Sequence, residues 1–451
     1  MGLLIKKTEF AKRRRQLLAK MEPNSLAIIF AATHQLRNRD VEYPYHPASD
    51  FYYLSGFAES DAILLLRKGG AVKGNKNEYI IFCQERDFKQ EQWVGERVGT
   101  ERARTELGAS RSWSITAWKD QLSELLIGVE TLYYNLGEEG EVETTLLQQL
   151  KQFRQRSRAG VIYPKTVNSL DPLLHELRLR KSSTEIRAMQ KAAEITVAAH
   201  KRAMVSCRAG ITESVLEGEI LHSFSGDGVR TVAYDSIVAG GNNACTLHYI
   251  NNSDTLKGGD LVLIDAGAEY EGYAADVTRT FPVNGKFSEP QRQLYELVLK
   301  AQQAAIKQTK PGVRCDAAHR AAVRVITRGL IDLKLLKGDL QKNISDKKYE
   351  KFYMHQTGHW LGMDVHDVGE YKVADSSTAK KLSWRKLESG MVLTIEPGLY
   401  IPKGMKGVAK RWQGIGIRIE DDLLVTETGC KVLTEAAPKS VVEIEALMRV
   451  R

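Results

Sequence analysis

The sequence predicts an α/β domain at the N-terminus and an α+β domain with internal pseudo-two-fold symmetry at the C-terminus. Three observations support this fold class. Short apolar runs alternate with helical segments in the first third of the chain. Turn-forming residues, including Pro164 and Pro172, then interrupt the pattern. Finally, the second half repeats one strand motif. We place the domains at residues 1–177 and 178–451.

Three runs predict strands in the N-terminal domain. Residues 26–30, 62–66 and 79–82 are continuously apolar and four or five residues long, which is typical of buried strands. After the turn residues, Ser182 is followed three positions later by Glu185, and this pair predicts a capping box at the start of a long helix. The helix begins the C-terminal domain.

The composition excludes several classes of protein. The chain has 451 residues, enough for two or three domains with sizeable cores. No apolar stretch approaches the ~18 residues of a membrane-spanning helix, and the basic N-terminus lacks the apolar region of a secretory signal. The five cysteines are scattered without a C-x-x-C pair, which fits reduced thiols in a cytoplasmic enzyme. The net charge of +9 accompanies no nucleic-acid-binding motif, so we expect neither nucleic acid nor membrane as a partner.

Residues 260–282 predict a hairpin that carries two aspartates. A buried strand leads into Asp265, turn residues follow, and the returning strand contains Asp276. If the turn is centred between Tyr270 and Glu271, the two aspartates face each other with Cβ atoms about 5 Å apart. Two carboxylates about 4 Å apart repel by roughly 4 kcal/mol at an effective dielectric of 20. A cation between them is one interpretation; the other is that one aspartate caps the turn and points to solvent.

A second segment repeats this strand. Residues 259–267 align without a gap with residues 390–398, each with glycine, apolar strand, acid, small residue or proline, and glycine. The second copy carries Glu396, and a later strand leads to Glu420. The repeat predicts a pseudo-symmetric core in which each half contributes two carboxylates. Four buried carboxylates require compensating cations, and two divalent ions would neutralise them.

Three histidines follow one another closely in "MHQTGHWLGMDVHDVGEY". His355 and His359 have i, i+4 spacing, but Gly358 disfavours a helix and the glutamate of the zinc motif H-E-x-x-H is absent. We therefore predict a loop that leads into a strand. A single histidine is more often structural, whereas His355, His359 and His366 beside four ordered acids favour a site.

The ordered acids and histidine resemble a known family. The order Asp265, Asp276, His359, Glu396, Glu420 resembles the five-ligand pattern of the pita-bread metallopeptidases, which include methionine aminopeptidases, prolidases, creatinase and Xaa-Pro aminopeptidases. The segments "HWLGMDVHDVGEY", "TIEPGLYIP" and "GIGIRIEDD" resemble aminopeptidase P. So does "DVEYPYHPASDFYYLSGF", which methionine aminopeptidases lack. The resemblance covers essentially the whole chain and implies a pita-bread catalytic domain behind an aminopeptidase P N-terminal domain.

The resemblance implies a centre with two divalent ions. Asp276 and Glu420 would bridge the ions, Asp265 would complete one, and His359 with Glu396 would complete the other. Oxygen-rich donors with one imidazole suit Mn²⁺, although Zn²⁺ or Co²⁺ could occupy such a site in vitro. A hydroxide shared by the ions would attack the bond between an N-terminal residue and proline, with the substrate amine near Asp265.

Further residues match family positions around the metals. His248 and His366 would stabilise the intermediate or move protons, and Arg418 would orient Glu420. His355 would shape the proline pocket, with Tyr400 near the site. Three N-terminal positions match residues that line the substrate entrance, some reaching a neighbouring subunit in the dimers or tetramers of relatives: Asp40, Trp93 and Arg158. The structural alternatives are that Trp93 simply packs against its neighbours and that Arg158 lies in an exposed basic stretch.

The chain departs from the family pattern in two places. Ser383 stands where the resemblance implies an arginine, which puts one outer contact in doubt. The segment 403–411 carries Lys403, Lys406, Lys410 and Arg411, where close relatives are more acidic. We predict that this basic loop favours substrates with acidic residues beyond proline. Equal kcat/KM for acidic and basic residues at that position would overturn the idea.

Two alternatives to an Xaa-Pro aminopeptidase follow from the sequence. Prolidase, in the same fold, cleaves only Xaa-Pro dipeptides, so a tripeptide substrate distinguishes the two. A metal-free binding module is the alternative from a different class. Such modules normally lack ligand residues, whereas this chain carries all five.

Overall fold

The structure is a computed structural model that describes residues 4–70, 76–137, 140–156, 158, 160–375 and 378–449. The described chain forms two compact units. One runs from Ile5 to Leu177, and the other begins at Arg178 and includes Leu4. None of the helices in these ranges combines the length and apolar character that a membrane crossing needs.

A six-stranded mixed sheet forms the centre of the first unit. Its strands are β1 (Ser25–Phe30), β4 (Ile63–Lys68), β5 (Glu78–Cys83), β6 (Arg111–Ser114), β7 (Thr131–Tyr133) and β8 (Thr166–Asn168), in the order β6-β5-β4-β1-β7-β8. The three strands expected from apolar runs are β1, β4 and β5, which lie side by side. Residues such as Leu26, Leu65 and Phe82 form the core beneath helices, which explains why these strands lack polar alternation.

The remaining elements of this unit surround the sheet or follow its strands. They are α1 (Lys7–Lys20), β2 (Leu36–Asn38), β3 (Val41–Glu42), α2 (Ser49–Ser55), α3 (Phe88–Val94), α4 (Gly99–Thr105), α5 (Trp118–Leu126), α6 (Gly140–Gln155) and α7 (Asp171–Leu179), the last of which continues two residues past Leu177. The mixed helix and strand order confirms the predicted α/β class.

The second unit consists of two halves, each of which begins with long helices and continues with antiparallel strands; the second half has an additional short helix before its strands and another helix after them. The first half contains α8 (Ser183–Ser206), α9 (Glu213–Gly226), β9 (Ile237–Gly240), β10 (Leu261–Ala266), β11 (Glu269–Tyr270), β12 (Tyr273–Ala274) and β13 (Val277–Pro282). The second contains α10 (Glu289–Ile306), α11 (Asp316–Asp332), α12 (Leu340–Ser345), β14 (Lys372–Asp375), β15 (Thr378–Trp384), β16 (Val392–Ile395), β17 (Gly398–Ile401), β18 (Ile415–Arg418), β19 (Asp421–Val425), β20 (Cys430–Val432) and α13 (Val441–Met448). The predicted capping box of Ser182 and Glu185 begins α8.

The repeated motif occupies equivalent strands in the two halves. β10 pairs with β13 and β9, while β16 pairs with β19, which in turn pairs with β20. The apolar residues of β10 and β16 lie in one continuous core with the helices. The acid of each motif, Asp265 or Glu396, therefore lies at the end of a buried strand, at the junction of the two halves.

Candidate metal centre

The hairpin register differs from the predicted one by two residues. Asp265 pairs with Thr278, so the expectation that Asp265 pairs directly with Asp276 is wrong. The turn is centred between Glu271 and Gly272, which have φ of 50° and 78°. Two positive φ values are the mark of a type I′ turn, whose twist matches that of the strands. Because a shift of two preserves the strand face, both aspartates still project to the same side.

Tyr234 joins the two aspartates. Its hydroxyl lies 2.5 Å from Oδ1 of Asp265 and 2.5 Å from Oδ1 of Asp276. A hydroxyl has one proton to donate, so two such contacts need a further proton or cation on the carboxylates. Burial, followed by the charges of the two aspartates, raises the pKa of Tyr234 well above its usual value. Tyr234 therefore stays protonated at neutral pH.

The second half contributes Glu396 and Glu420. Glu396 directly follows β16, and Glu420 lies between β18 and β19. The Glu420 backbone N–H donates to the Thr278 carbonyl at 3.1 Å, and the Thr278 hydroxyl donates to Glu420 Oε2 at 2.6 Å. These bonds tie the strands of the two halves together. The predicted four-carboxylate cluster is thus assembled across the pseudo-two-fold axis.

His359 approaches the cluster from a loop, as predicted. Its Nδ1 lies 2.9 Å from the Trp360 carbonyl, which leaves Nε2 facing the acids, 3.3 Å from Asp276 Oδ2 and 3.8 Å from Glu396 Oε1. Gly358 is needed here because a Cβ would meet the Thr394 carbonyl oxygen at 1.9 Å. The loop therefore runs against β16 closely enough to place the imidazole.

The acids of the cluster interact strongly. Burial raises the pKa of Glu420 well above its usual value, and the charges of Asp276 and Glu396 add to this effect. Burial likewise raises the pKa of Glu396 to about 7. For Asp276, burial is outweighed by the hydrogen bond and charge of His359, so its pKa is lowered. Burial opposes the charged form of His359, but Asp276 and Glu396 raise its pKa to about 9. The raised pKa values of Glu420 and Glu396 show that the four acids cannot all be ionised without more positive charge than His359 and Arg418 supply.

These residues fit divalent cations. Ligand atoms of Asp276, His359 and Glu420 lie within 4.8 Å of one another, and Asp276 and Glu420 are buried. Carboxylate oxygens with one imidazole nitrogen form a donor set used by divalent transition metals. A metal here would supply the positive charge that the buried acids lack and would displace protons from them.

Arg418 contacts a different acid from the one predicted. Its Nη2 donates to Asp265 Oδ2 at 2.5 Å, and its Nε donates to the Thr278 hydroxyl, which links it to Glu420 indirectly. Its Nη1 donates to the Tyr400 hydroxyl at 3.1 Å. Arg418 therefore orients Asp265 directly and Glu420 through Thr278.

His355 and Tyr400 form one wall beside the centre. The His355 Nε2 lies 2.9 Å from the Tyr400 hydroxyl, and its Nδ1 lies 2.7 Å from the Gln356 carbonyl. Burial, assisted by the charge of Arg418, lowers the pKa of His355 to about 3. His355 is therefore neutral at physiological pH.

A cavity of about 770 Å³ opens onto these residues. His248 and His366 line it and are exposed. The rings of His366 and His359 are 4.2 Å apart, and burial, followed by the charge of His359, lowers the pKa of His366. Nine of the predicted residues thus line one cavity: His248, Asp265, Asp276, His355, His359, His366, Glu396, Arg418 and Glu420. The Tyr400 hydroxyl contacts His355, which is one of them.

The three N-terminal candidates belong to the first unit. Asp40 lies in the turn between β2 and β3, Trp93 lies in α3, and all of Asp40, Trp93 and Arg158 are exposed. Trp93 is 89% exposed, so its side chain does not pack into the core of its own unit. The four basic residues of the loop 403–411 are also exposed, and the described residues that line the cavity do not include them, so the cavity gives no support to the predicted preference for acidic residues beyond proline.

Sequence reasoning missed Tyr234 and Thr278. Thr278 carries a signal, since the sequence predicts one returning strand that contains Asp276 and Thr278, and residues two apart on a strand share a face. Tyr234 has no comparable signal because it lies outside the hairpin, before β9, and reaches the aspartates only in the folded chain.

The fold and the buried cluster define a metal-dependent hydrolase, and comparisons with known proteins specify the family. Residues 187–427 match the model of metallopeptidase family M24, and residues 10–133 match the N-terminal domain of aminopeptidase P. The chain belongs to metallopeptidase family M24.

Individual relatives match over the whole chain. It is 44% identical to the Xaa-Pro aminopeptidase of Escherichia coli strain K12, covering 98% of both chains. The structure of the aminopeptidase PepP of Pseudomonas aeruginosa matches with a TM-score of 0.94 at 48% identity, covering 99% of this chain and 98% of that one. A zinc-substituted E. coli aminopeptidase P in complex with product matches with a TM-score of 0.93 at 43% identity, covering 99% of both chains. These matches confirm the predicted family and fold class.

Proposed function

We propose that the protein is an Xaa-Pro aminopeptidase, which releases the N-terminal residue from peptides with proline in second position. The observation that carries the proposal is the convergence of Asp276, His359 and Glu420 within ligand distance of one another, in a chain 44% identical to a bacterial Xaa-Pro aminopeptidase. The proposal assigns catalysis to residues 178–451.

We propose that five residues hold two divalent ions, with Mn²⁺ as the preferred metal. The ligands are those expected from the family pattern: Asp265, Asp276, His359, Glu396 and Glu420. When bound, the ions would polarise the scissile carbonyl and lower the pKa of an attacking water. The His359 imidazole is already oriented, because its Nδ1 faces the Trp360 carbonyl, and a bound metal would displace the proton from its Nε2.

The protein's other groups position the substrate and move protons. His366 and His248 are exposed in the cavity, where either could stabilise charge on the carbonyl oxygen or donate a proton to the leaving proline nitrogen. His355, held neutral against Tyr400, provides a wall for the proline ring. Arg418 restrains both Asp265 and Tyr400 and so couples the metal centre to that wall.

Peptide hydrolysis by metal-stripped protein tests the proposal. The substrates are Ala-Pro-Gly and the dipeptide Ala-Pro, each with no metal and with Mn²⁺, Zn²⁺ or Co²⁺. Release of alanine from the tripeptide, restored best by Mn²⁺, is the expected result. Cleavage of the dipeptide alone would assign the protein to the prolidases. No turnover of either peptide by metal-loaded protein would overturn the enzymatic assignment and favour a binding module.

We further propose that the protein forms dimers or tetramers in the cytoplasm and that α3 faces a second copy. Phe88, Trp93 and Val94 on this helix are 77%, 89% and 69% exposed. Such apolar side chains on a seven-residue helix without buried residues are typical of an interface. Sedimentation of the wild type and of Trp93→Ser tests this. A monomeric wild type would overturn it.

A further inference from the structure

The catalytic cavity extends beyond the residues with proposed roles. Its outer part, here called the outer subsite, is lined by Cys315, His319, Tyr371, Lys372, Leu382 and Trp384. These residues come from the beginning of α11 and from the β14–β15 hairpin with the residue preceding it. None of them is required for the chemistry proposed above.

The hairpin presents to the cavity a face that carries Leu382, Trp384 and Lys372. Lys372 pairs with Trp384 and Ala374 pairs with Leu382 in the antiparallel register. Side chains alternate between the two faces of a strand, so Leu382 and Trp384 share a face and Ser383 lies on the other. The departure from the family pattern at Ser383 therefore lies between two residues that line the cavity.

The outer subsite is open, and apolar and aromatic side chains make up most of its wall; Lys372 belongs to it, and the acids Asp316 and Glu370 line the same cavity. Leu382 is 63% exposed and Tyr371 is 38% exposed, although both line a cavity. The Lys372 ammonium lies 4.8 Å from the centroid of the Trp384 ring, where the ring's negative face attracts it. The His319 Nδ1 lies 2.9 Å from the Thr357 hydroxyl, and this contact fixes the orientation of the imidazole ring. A ligand that covers these side chains gains mainly by burying apolar surface.

The outer subsite adjoins the His359 and Glu396 side of the centre. The Tyr371 ring stacks on Trp360 with centroids 5.2 Å apart, and its hydroxyl accepts a hydrogen bond from the Trp360 backbone. Thr357, the partner of His319, accepts through its carbonyl from the Glu396 backbone N–H at 2.7 Å. The substrate amine is expected near Asp265, and the residues that hold Asp265 are Tyr234 and Arg418. The part of a peptide beyond the scissile bond therefore points to the outer subsite.

We infer that the outer subsite binds a large apolar side chain on the residue that follows proline. The inference rests on the proposed function, because it takes the direction of the peptide from it. It assigns to Leu382 a role in substrate preference, with Trp384 and Tyr371 completing the apolar wall.

Tripeptide kinetics with a surface variant test the inference. Wild-type enzyme should cleave Ala-Pro-Phe with a kcat/KM roughly tenfold above that for Ala-Pro-Gly, mainly through a lower KM. Leu382→Ser should reduce this ratio by roughly threefold or more, because the apolar contact is lost. Leu382→Met keeps an apolar side chain of similar size and should keep the ratio. Leu221→Ser, which replaces a leucine that is 42% exposed on α9 away from the cavity, is the matched control and should also keep the ratio.

The outcomes separate this inference from the proposed function. Equal kcat/KM for the two tripeptides in the wild type, or an unchanged ratio in Leu382→Ser, would overturn the outer subsite while leaving the aminopeptidase intact. A second pair, Phe-Pro-Gly and Ala-Pro-Gly, varies the first residue. If Leu382→Ser changed this ratio instead, the subsite would receive the first residue and the inference would be wrong. No cleavage of Ala-Pro-Gly would overturn both.

Discussion

At the scale of single residues, the centre depends on groups that hold the acids as much as on the acids themselves. Tyr234 touches both aspartates of the first half, and Arg418 touches Asp265. Thr278 connects Arg418 to Glu420. Such partners fix the direction of each carboxylate, and their loss typically reduces metal affinity or activity by about 10- to 100-fold.

Replacing Tyr234 by phenylalanine tests this role. The variant keeps the ring but removes the hydroxyl between Asp265 and Asp276, so we expect kcat/KM to fall by about 10- to 100-fold. Isothermal titration of metal into stripped protein should show weaker binding over the same range. Wild-type affinity and activity in Tyr234→Phe would show that the short contacts have no role in the centre.

Replacing a bridging candidate should have a larger effect. Asp276→Asn removes one ligand charge and the partner of His359, so we expect a loss of activity of at least about 10²-fold together with loss of bound metal. Metal analysis by mass spectrometry checks the second part. Asp235 is exposed and directly follows Tyr234 in the sequence. Asp235→Asn therefore serves as the control and should behave like the wild type.

At the scale of elements, the loop that carries His359 and His366 is fastened by a buried ion cluster. Lys181 donates to Asp367 Oδ2 at 2.8 Å, and Arg178 donates to Asp367 Oδ1 at 2.6 Å and to Asp364 Oδ2 at 2.8 Å. The side chains of Lys181 and Asp367 are each 1% exposed. The backbone of Asp367 also donates to the Trp360 carbonyl, which closes the loop and brings the two histidine rings together.

Removing the carboxylate from this cluster should destabilise the fold. Asp367→Asn leaves the buried Lys181 without its anion and removes one of the two carboxylates that Arg178 contacts, so we expect the free energy of unfolding to fall by roughly 3–5 kcal/mol. Asp364→Asn is the matched control: its side chain is 41% exposed, and we expect a loss below about 1 kcal/mol. Urea denaturation of both variants provides the comparison, and equal effects would contradict the assignment of the loop's stability to Asp367.

The same cluster predicts a dependence on pH. Burial alone would raise the pKa of Asp367, but Lys181 and Arg178 outweigh it and hold this pKa below its usual value. A lowered pKa in the folded state stabilises the protein at every pH above the unfolded value of about 3.9. The stabilisation is lost as the pH falls through the lower folded value. The difference between wild type and Asp367→Asn should therefore be constant from pH 5 to 7 and shrink only below about pH 4; a difference that shrinks near neutral pH would contradict this account.

At the scale of the whole molecule, metal binding and folding should be linked in the second unit. Four acids of one cluster come from both halves of this unit, so a bound cation holds the halves together in addition to serving catalysis. Ligand present at 1,000 times its dissociation constant stabilises the folded state by about 4 kcal/mol. Scanning calorimetry with saturating Mn²⁺ and with a chelator should show a melting transition several degrees lower in the chelated protein. An unchanged transition in protein that demonstrably binds metal would exclude this linkage.

The sequence alone determined which residues could form the centre, because the relevant patterns are local. Apolar runs predicted β1, β4, β5 and β10, a capping box predicted the start of α8, and the repeat of residues 259–267 at 390–398 predicted two related halves. The order of acids and histidines, together with its resemblance to a known family, predicted the ligand set and the class of reaction.

The tertiary structure alone decided how those residues meet. The type I′ turn at Glu271 and Gly272 gives a register two residues away from the predicted one. Alternation of side chains cannot distinguish the two registers because both keep the same strand faces, so the twist of the backbone at the turn decides between them. The contacts of Tyr234 and Arg418 with Asp265 join segments 31 and 153 residues apart, so no local pattern contains them. The outer subsite likewise exists only where α11 and the β14–β15 hairpin line one cavity. Sequence patterns report periodicity and residue type, whereas contacts between distant segments depend on packing the whole domain.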